Sequence, residues 1–162
     1  LLIAQTKELY DGALPSGNSV AALDLVRLGQ LTMDKELQGY ADRQFQTFSG
    51  HVSQASSAFP QFLIALDFWL GPSQEIVIAG DPTAADTQQM LQAVYGRFLP
   101  RAVLAVHPVG DAAQAVEALV PFIKEQRPLQ GKATAYVCKN YVCNLPTTDV
   151  AKMVGILNDA TQ

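Results

Sequence analysis

Pro60-Gln61-Phe62-Leu63-Ile64-Ala65-Leu66-Asp67-Phe68-Trp69-Leu70-Gly71-Pro72-Ser73-Gln74-Glu75-Ile76-Val77-Ile78-Ala79 joins two textures. Pro60 suits the first turn of a helix, and Phe62, Leu63, Ala65, Leu66, Trp69 and Leu70 then cover most of its circumference. A helix apolar nearly all round is buried on several sides, as in a bundle or a toroid of helical hairpins. Gly71-Pro72 breaks that helix. The short continuous run Glu75-Ile76-Val77-Ile78-Ala79 beyond it marks a strand buried on both faces.

Toward the N-terminus the helical texture continues. Ser16-Gly17-Asn18-Ser19 offers capping side chains before an apolar helix from Val20 to Leu31, and Asp34 is placed to cap the next. Leu37, Tyr40, Ala41, Phe45 and Phe48 recur at helical spacing there, with Gly50 as the expected end and a short polar helix over 51–57. Toward the C-terminus strands and helices alternate. Arg101–Val106 and Thr134–Cys138 read as further strands, with Tyr141–Cys143 as a possible hairpin return. Asp81, Asp111 and Asp149 stand where helix caps are expected, and Pro121 should kink or divide the middle helix. The expected class is α/β: antiparallel helical hairpins over 1–71, then a small, mostly parallel three-layer α/β unit over 72–162.

Composition narrows the function. The 162 residues carry 11 Lys plus Arg against 15 Asp plus Glu, a net charge of -4, so a nucleic-acid partner is not expected. Charged residues make up 16%, below the ~25% common in globular domains, while 49% are hydrophobic. Mean hydropathy is +0.11. Part of this surface is therefore expected to be covered, and the opening Leu1-Leu2-Ile3-Ala4 reads as the middle of a helix in a longer chain. The apolar run ending at Leu70 is interrupted by Asp67 and falls short of the ~20 residues of a membrane span. No membrane partner is expected. Two cysteines are too few for a secreted disulfide scaffold, which makes a cytoplasmic setting the expectation.

Three constellations carry possible chemistry. Tyr10-Asp11-Gly12-Ala13-Leu14-Pro15-Ser16-Gly17-Asn18-Ser19 sets a carboxylate, hydroxyls and an amide beside a helix N-terminus. Such a loop suits sugar hydroxyls, and it equally suits capping and a tight turn. Asp81 and His107 follow the first two strands, where ligands of parallel sheets gather. No glycine-rich phosphate loop accompanies them, so no nucleotide or other cofactor is expected. Cys138 and Cys143 match neither a C-x-x-C motif nor a zinc site, and no metal is expected. A four-residue hairpin loop would place them opposite each other. A two-residue loop at Lys139-Asn140 would set them diagonally, ~7 Å apart. Reduced, buried thiols are the expectation, with a redox pair as the alternative.

Asp11 to Ala22, then Glu75-Ile76-Val77-Ile78-Ala79-Gly80, then Thr134-Ala135-Tyr136-Val137-Cys138 with Cys143, resemble in that order the C-terminal region of a thioredoxin-domain-containing family. This is the family of the spermatogenesis-associated thioredoxin-like proteins. The resemblance implies an N-terminal thioredoxin-like domain followed by a six-hairpin (α/α) toroid similar to those of glycosidases and N-acylglucosamine 2-epimerases. Residues 1–71 would be the last hairpins of that toroid. On this reading Asp11 is the acid/base or hydroxyl acceptor of a carbohydrate pocket, with Ser16 and Asn18 orienting substrate. A hydrolase also needs a second carboxylate ~5–9 Å away, which other parts of the polypeptide would supply. The alternative is a non-catalytic module that packs on a partner or on the thioredoxin-like domain.

Overall fold

A computed structural model describes residues 7–159. The chain divides into two compact units: a helical one ending at Gly71, and an α/β one from Pro72 onward that also takes in Leu31–Met33.

The helical unit holds α1 (Gly17–Thr32), α2 (Lys35–Gln54) and α3 (Pro60–Leu70). Ser16 caps α1, its hydroxyl accepting from the Ser19 N–H at 3.1 Å. Only Met33 and Asp34 separate α1 from α2. Met33 takes a left-handed conformation (φ 57°), and the Asp34 carboxylate accepts from the N–H groups of Glu36 and Leu37. Phe62, 1% exposed, meets Phe45 and Phe48 edge-on at centroid distances of 5.4 and 5.9 Å. Ala22, Val26, Ala41, Ala65 and Phe68 of the same unit are also buried. Val20 and Leu28 on α1, and Ile64 and Leu70 on α3, are exposed instead.

Two expectations about this unit need correction. Gly50 does not end α2, which continues to Gln54. The site is exposed, with nothing within 4 Å of a Cβ placed there, so the glycine is simply carried by the helix. The short helix expected over 51–57 is absorbed into the end of α2 and a 3-10 turn at Ser56–Ala58.

The α/β unit is built on β1 (Gln74–Ala79), α4 (Ala85–Tyr95), β2 (Ala102–His107), α5 (Ala112–Leu119), β3 (Thr134–Lys139), β4 (Val142–Cys143) and α6 (Val150–Asp159). The sheet order is β2-β1-β3-β4. β1 runs parallel to β2, but β3 is antiparallel to β1, with Glu75 opposite Cys138, and β4 is antiparallel to β3. The sheet is therefore mixed, and the mostly parallel arrangement expected from the sequence is corrected. A strand buried on both faces reads as the same apolar run in either direction, so its sequence does not encode polarity. Ile76, Ile78, Ala135 and Val137 pack with Met90, Leu91 and Val94 of α4 and Met153 and Leu157 of α6. Val77 and Ala105 pack instead with Val120 and Ile123.

The caps divide. Asp149 does cap α6, accepting from the Lys152 N–H at 2.9 Å. Asp81 instead closes a turn, accepting from both the N–H and the hydroxyl of Thr83, and α4 begins only at Ala85. Asp111 makes no side-chain capping bond. Pro121 ends α5 and opens a separate 3-10 turn, the division its missing N–H requires.

Candidate functional site

Asp11 is buried at 7% exposure and both of its carboxylate oxygens are occupied. Oδ1 accepts from the Ser16 N–H at 2.8 Å. Oδ2 accepts from the N–H groups of Gln61 and Phe62 at 2.9 and 3.2 Å. Gln61 and Phe62 stand in the first turn of α3, where N–H groups have no partner inside the helix. Phe59, at the capping position, offers no side-chain acceptor. A carboxylate fifty residues upstream thus does the work of the N-cap. Burial pushes the Asp11 carboxyl up, but hydrogen bonds from Ser16, Ser19, Phe62 and Gln61 outweigh it and hold the group below its ordinary value.

Ser16 and Asn18 part company. The Ser16 hydroxyl is buried and donates to Ser19 Oγ at 2.9 Å. Asn18 donates from Nδ2 to the Glu8 carbonyl at 2.6 Å and also lines a cleft of about 310 Å³ on the helical unit. Lys7, Leu25, Tyr40, Arg43, Gln44, Thr47 and Phe48 line it too. The Arg43 guanidinium lies 4.5 Å from the centroid of the Tyr40 ring. Tyr40 donates its hydroxyl to Glu36 at 2.9 Å, which holds the phenol above its ordinary value. Buried Gln44 Oε1 has no hydrogen-bond partner. None of the lining residues is acidic. The cleft thus offers cationic and amide groups together with aromatic ones, a combination suited to a polar ligand with an anionic group. Arg43, Gln44 and Thr47 escaped the sequence reading, although their three- and four-residue spacing makes a polar stripe beside the apolar one on α2; Tyr40, read there as part of the apolar stripe, is exposed and lines the cleft.

His107 lies at the carboxyl end of β2, 1% exposed. Its Nδ1 donates to the Gln126 carbonyl at 2.7 Å, and Nε2 is 3.0 Å from Glu117 Oε1. Arg127 reaches the same Glu117 oxygen at 2.9 Å. The His107 hydrogen bond, with help from Arg127, holds the Glu117 carboxyl below its ordinary value. Asp86 is likewise lowered, chiefly by the Ala133 N–H at 2.7 Å. Among the described residues, no group of three or more His, Cys, Asp or Glu side chains is placed to hold a metal.

The lowered carboxyls set a pH dependence. Asp11, Asp86 and Glu117 all titrate lower in the folded protein than in the unfolded chain. Their contribution is fully present above the ordinary carboxylate values of 3.8 and 4.5 and is lost as pH falls through the folded values. Urea midpoints measured from neutral pH downward should stay level and then drop below about pH 4. A midpoint that rises on acidification would contradict these assignments.

Cys138 and Cys143 sit directly opposite each other on β3 and β4 and form a disulfide, with an S–S distance of 1.98 Å. This corrects the expectation of reduced thiols. Of the two loops weighed, the four-residue one over 139–142 has the observed pairing of Cys138 with Cys143, while the diagonal arrangement of a two-residue loop at Lys139-Asn140 is not formed. Lys139 pairs with Val142, and the turn is Asn140-Tyr141, with φ values of 50° and 62°. Two successive left-handed residues make the tight hairpin turn that matches strand twist. The six-residue ring, by loop-closure entropy alone, gives about 2 kcal/mol, near the lower end for disulfides.

Over 152 residues, 94% of its length, the chain is 34% identical to spermatogenesis-associated protein 20 of Homo sapiens and 32% identical to that of Mus musculus. An uncharacterized protein of Caenorhabditis elegans is 24% identical over 93% of the chain. The chain spans about a fifth of the length of these curated relatives: 19% of the two mammalian proteins and 20% of the nematode one. No protein-family model and no solved structure matches it. No helix among the described residues is long and apolar enough to cross a membrane.

Proposed function

We propose that the helical unit supplies part of a ligand-binding wall in a larger toroid of helical hairpins, and that its ligand is a sugar-type molecule carrying an anionic group. The cleft carries this reading: Lys7 and Arg43 offer positive charge, Asn18, Gln44 and Thr47 offer hydrogen bonds, and Tyr40 and Phe48 offer aromatic surface. Asp11 supports the wall through the start of α3 instead of acting on substrate, since its oxygens are already engaged with backbone N–H groups. Any acid–base pair for hydrolysis or epimerisation then comes from elsewhere in the toroid. The preceding thioredoxin-like domain implied by the family resemblance belongs to the same proposal. The exposed Val20, Leu28, Ile64 and Leu70 favour a second role, as apolar surface packed against other parts of the polypeptide.

Calorimetric titration of the full-length protein with glucose 6-phosphate and with glucose tests the cleft. The phosphorylated sugar should bind more tightly, and Arg43→Ala should weaken it about tenfold or more, the scale of one lost charge-assisted hydrogen bond. Equal binding of the two sugars, or an unchanged affinity in the variant, would overturn the assignment.

A further inference from the structure

We propose that Cys138–Cys143 is a reversible thiol–disulfide exchange site, opened by attack of an external dithiol on the sulfur of Cys143. Four observations carry this, all independent of the cleft. First, the two half-cystines differ in access: Cys138 is 1% exposed, whereas Cys143 is exposed on the two-residue strand β4. An incoming thiolate reaches one sulfur and leaves the other as the departing group. Second, the pair occupies a non-hydrogen-bonded position of the ladder, flanked by the Lys139–Val142 pair and the Asn144 N–H to Val137 carbonyl bond, where facing side chains are closest.

Third, the hairpin tip is fastened without the disulfide. Asn140 donates its N–H to the Ser73 carbonyl at 3.0 Å, and Ser73 returns its N–H to Asn140 Oδ1 at 3.1 Å. The Tyr141 N–H donates to buried Glu75 Oε2 at 2.8 Å, and the Ser73 hydroxyl to Oε1 at 2.8 Å. The Tyr141 ring also meets Phe122 edge-on at 5.8 Å. Cleaving the bridge therefore leaves two thiols facing each other on a hairpin that stays closed, poised to re-form the bond. Fourth, the ring is short, so the bridge restrains the unfolded chain weakly and its removal costs little as a staple.

The chemistry balances with a dithiol as the reductant. Its thiolate attacks Cys143 Sγ, the Cys138–Cys143 bond breaks, and Cys138 leaves as a thiolate that takes up a proton. The second thiol of the reagent loses its proton, attacks the mixed disulfide and closes the reagent's own disulfide, releasing Cys143, which is then protonated. Two electrons and two protons pass to the protein.

The test uses the full-length protein under native conditions, with millimolar dithiothreitol as the reductant and differential alkylation read by mass spectrometry. When the reduced protein is acid-quenched and only then labelled in denaturant, both cysteines should be alkylated, the circular dichroism spectrum before the quench should be unchanged, and the bridge should return on exchange into glutathione disulfide. In Cys138→Ser, glutathione disulfide should cap Cys143, whereas in Cys143→Ser the capping of Cys138 should be at least about tenfold slower. A bridge that opens only after denaturant is added would overturn the proposal, whether or not the variants fold. So would equal capping of the two cysteines.

Discussion

Phe62→Ala should lower the unfolding free energy of the helical unit by about 3–5 kcal/mol, the range for deleting a buried aromatic ring from a packed centre. Phe62 is 1% exposed and is the ring that both Phe45 and Phe48 meet edge-on. Removing it leaves a cavity, and it also ends two aromatic contacts that add to the buried area. Phe45 also meets Trp69 at 5.8 Å, so the lost volume lies at the junction of α2 and α3, where partial collapse is hard. Denaturant unfolding followed by tryptophan fluorescence reads this directly, because Trp69 is the only tryptophan in the chain. A loss below about 1 kcal/mol would mean that the three rings do not form the centre of this unit.

Asp11→Ala should cost about 2–4 kcal/mol, since it strands buried N–H groups that have no other acceptor of comparable geometry. Three backbone donors lose their partner at once: Ser16, Gln61 and Phe62. Asp11→Asn should cost less, about 1–2 kcal/mol, because the amide keeps one acceptor oxygen and brings a donor toward other donors. The acid-induced drop in stability should be shallower in Asp11→Asn than in the parent, as one of the lowered carboxyls is gone. A variant that matches the parent in stability but loses ligand binding would return Asp11 to the role of acid, base or hydroxyl acceptor.

The Asp11 loop shows where sequence reading succeeds and where it stops. Ser16 lies next to the helix it caps, so the cap is visible in four consecutive residues. Asp11 caps a helix that starts at Pro60, and nothing local to either segment announces a bond between residues fifty positions apart. The same limit explains the sheet. The apolar runs at 75–79 and 134–138 are strong strand signals, yet the sense in which they pair depends on the path of the chain from β2 to β3. The β3–β4 hairpin was legible, but its turn was not, on finer grounds. Lys139-Asn140 and Asn140-Tyr141 are both plausible tips, and the chosen one puts Tyr141, a residue rarely left-handed, at φ 62°. Contacts from Ser73, Glu75 and Phe122 stabilise that choice, and all of them come from distant sequence.

Hydrogen exchange of the full-length protein, with and without saturating glucose 6-phosphate, tests the cleft most directly. The ligand should slow exchange in the start of α1 around Asn18 and in the Tyr40–Phe48 stretch of α2, the segments that line the wall. Protection confined to other parts of the polypeptide, with these two segments unchanged, would show that this chain does not form the binding wall.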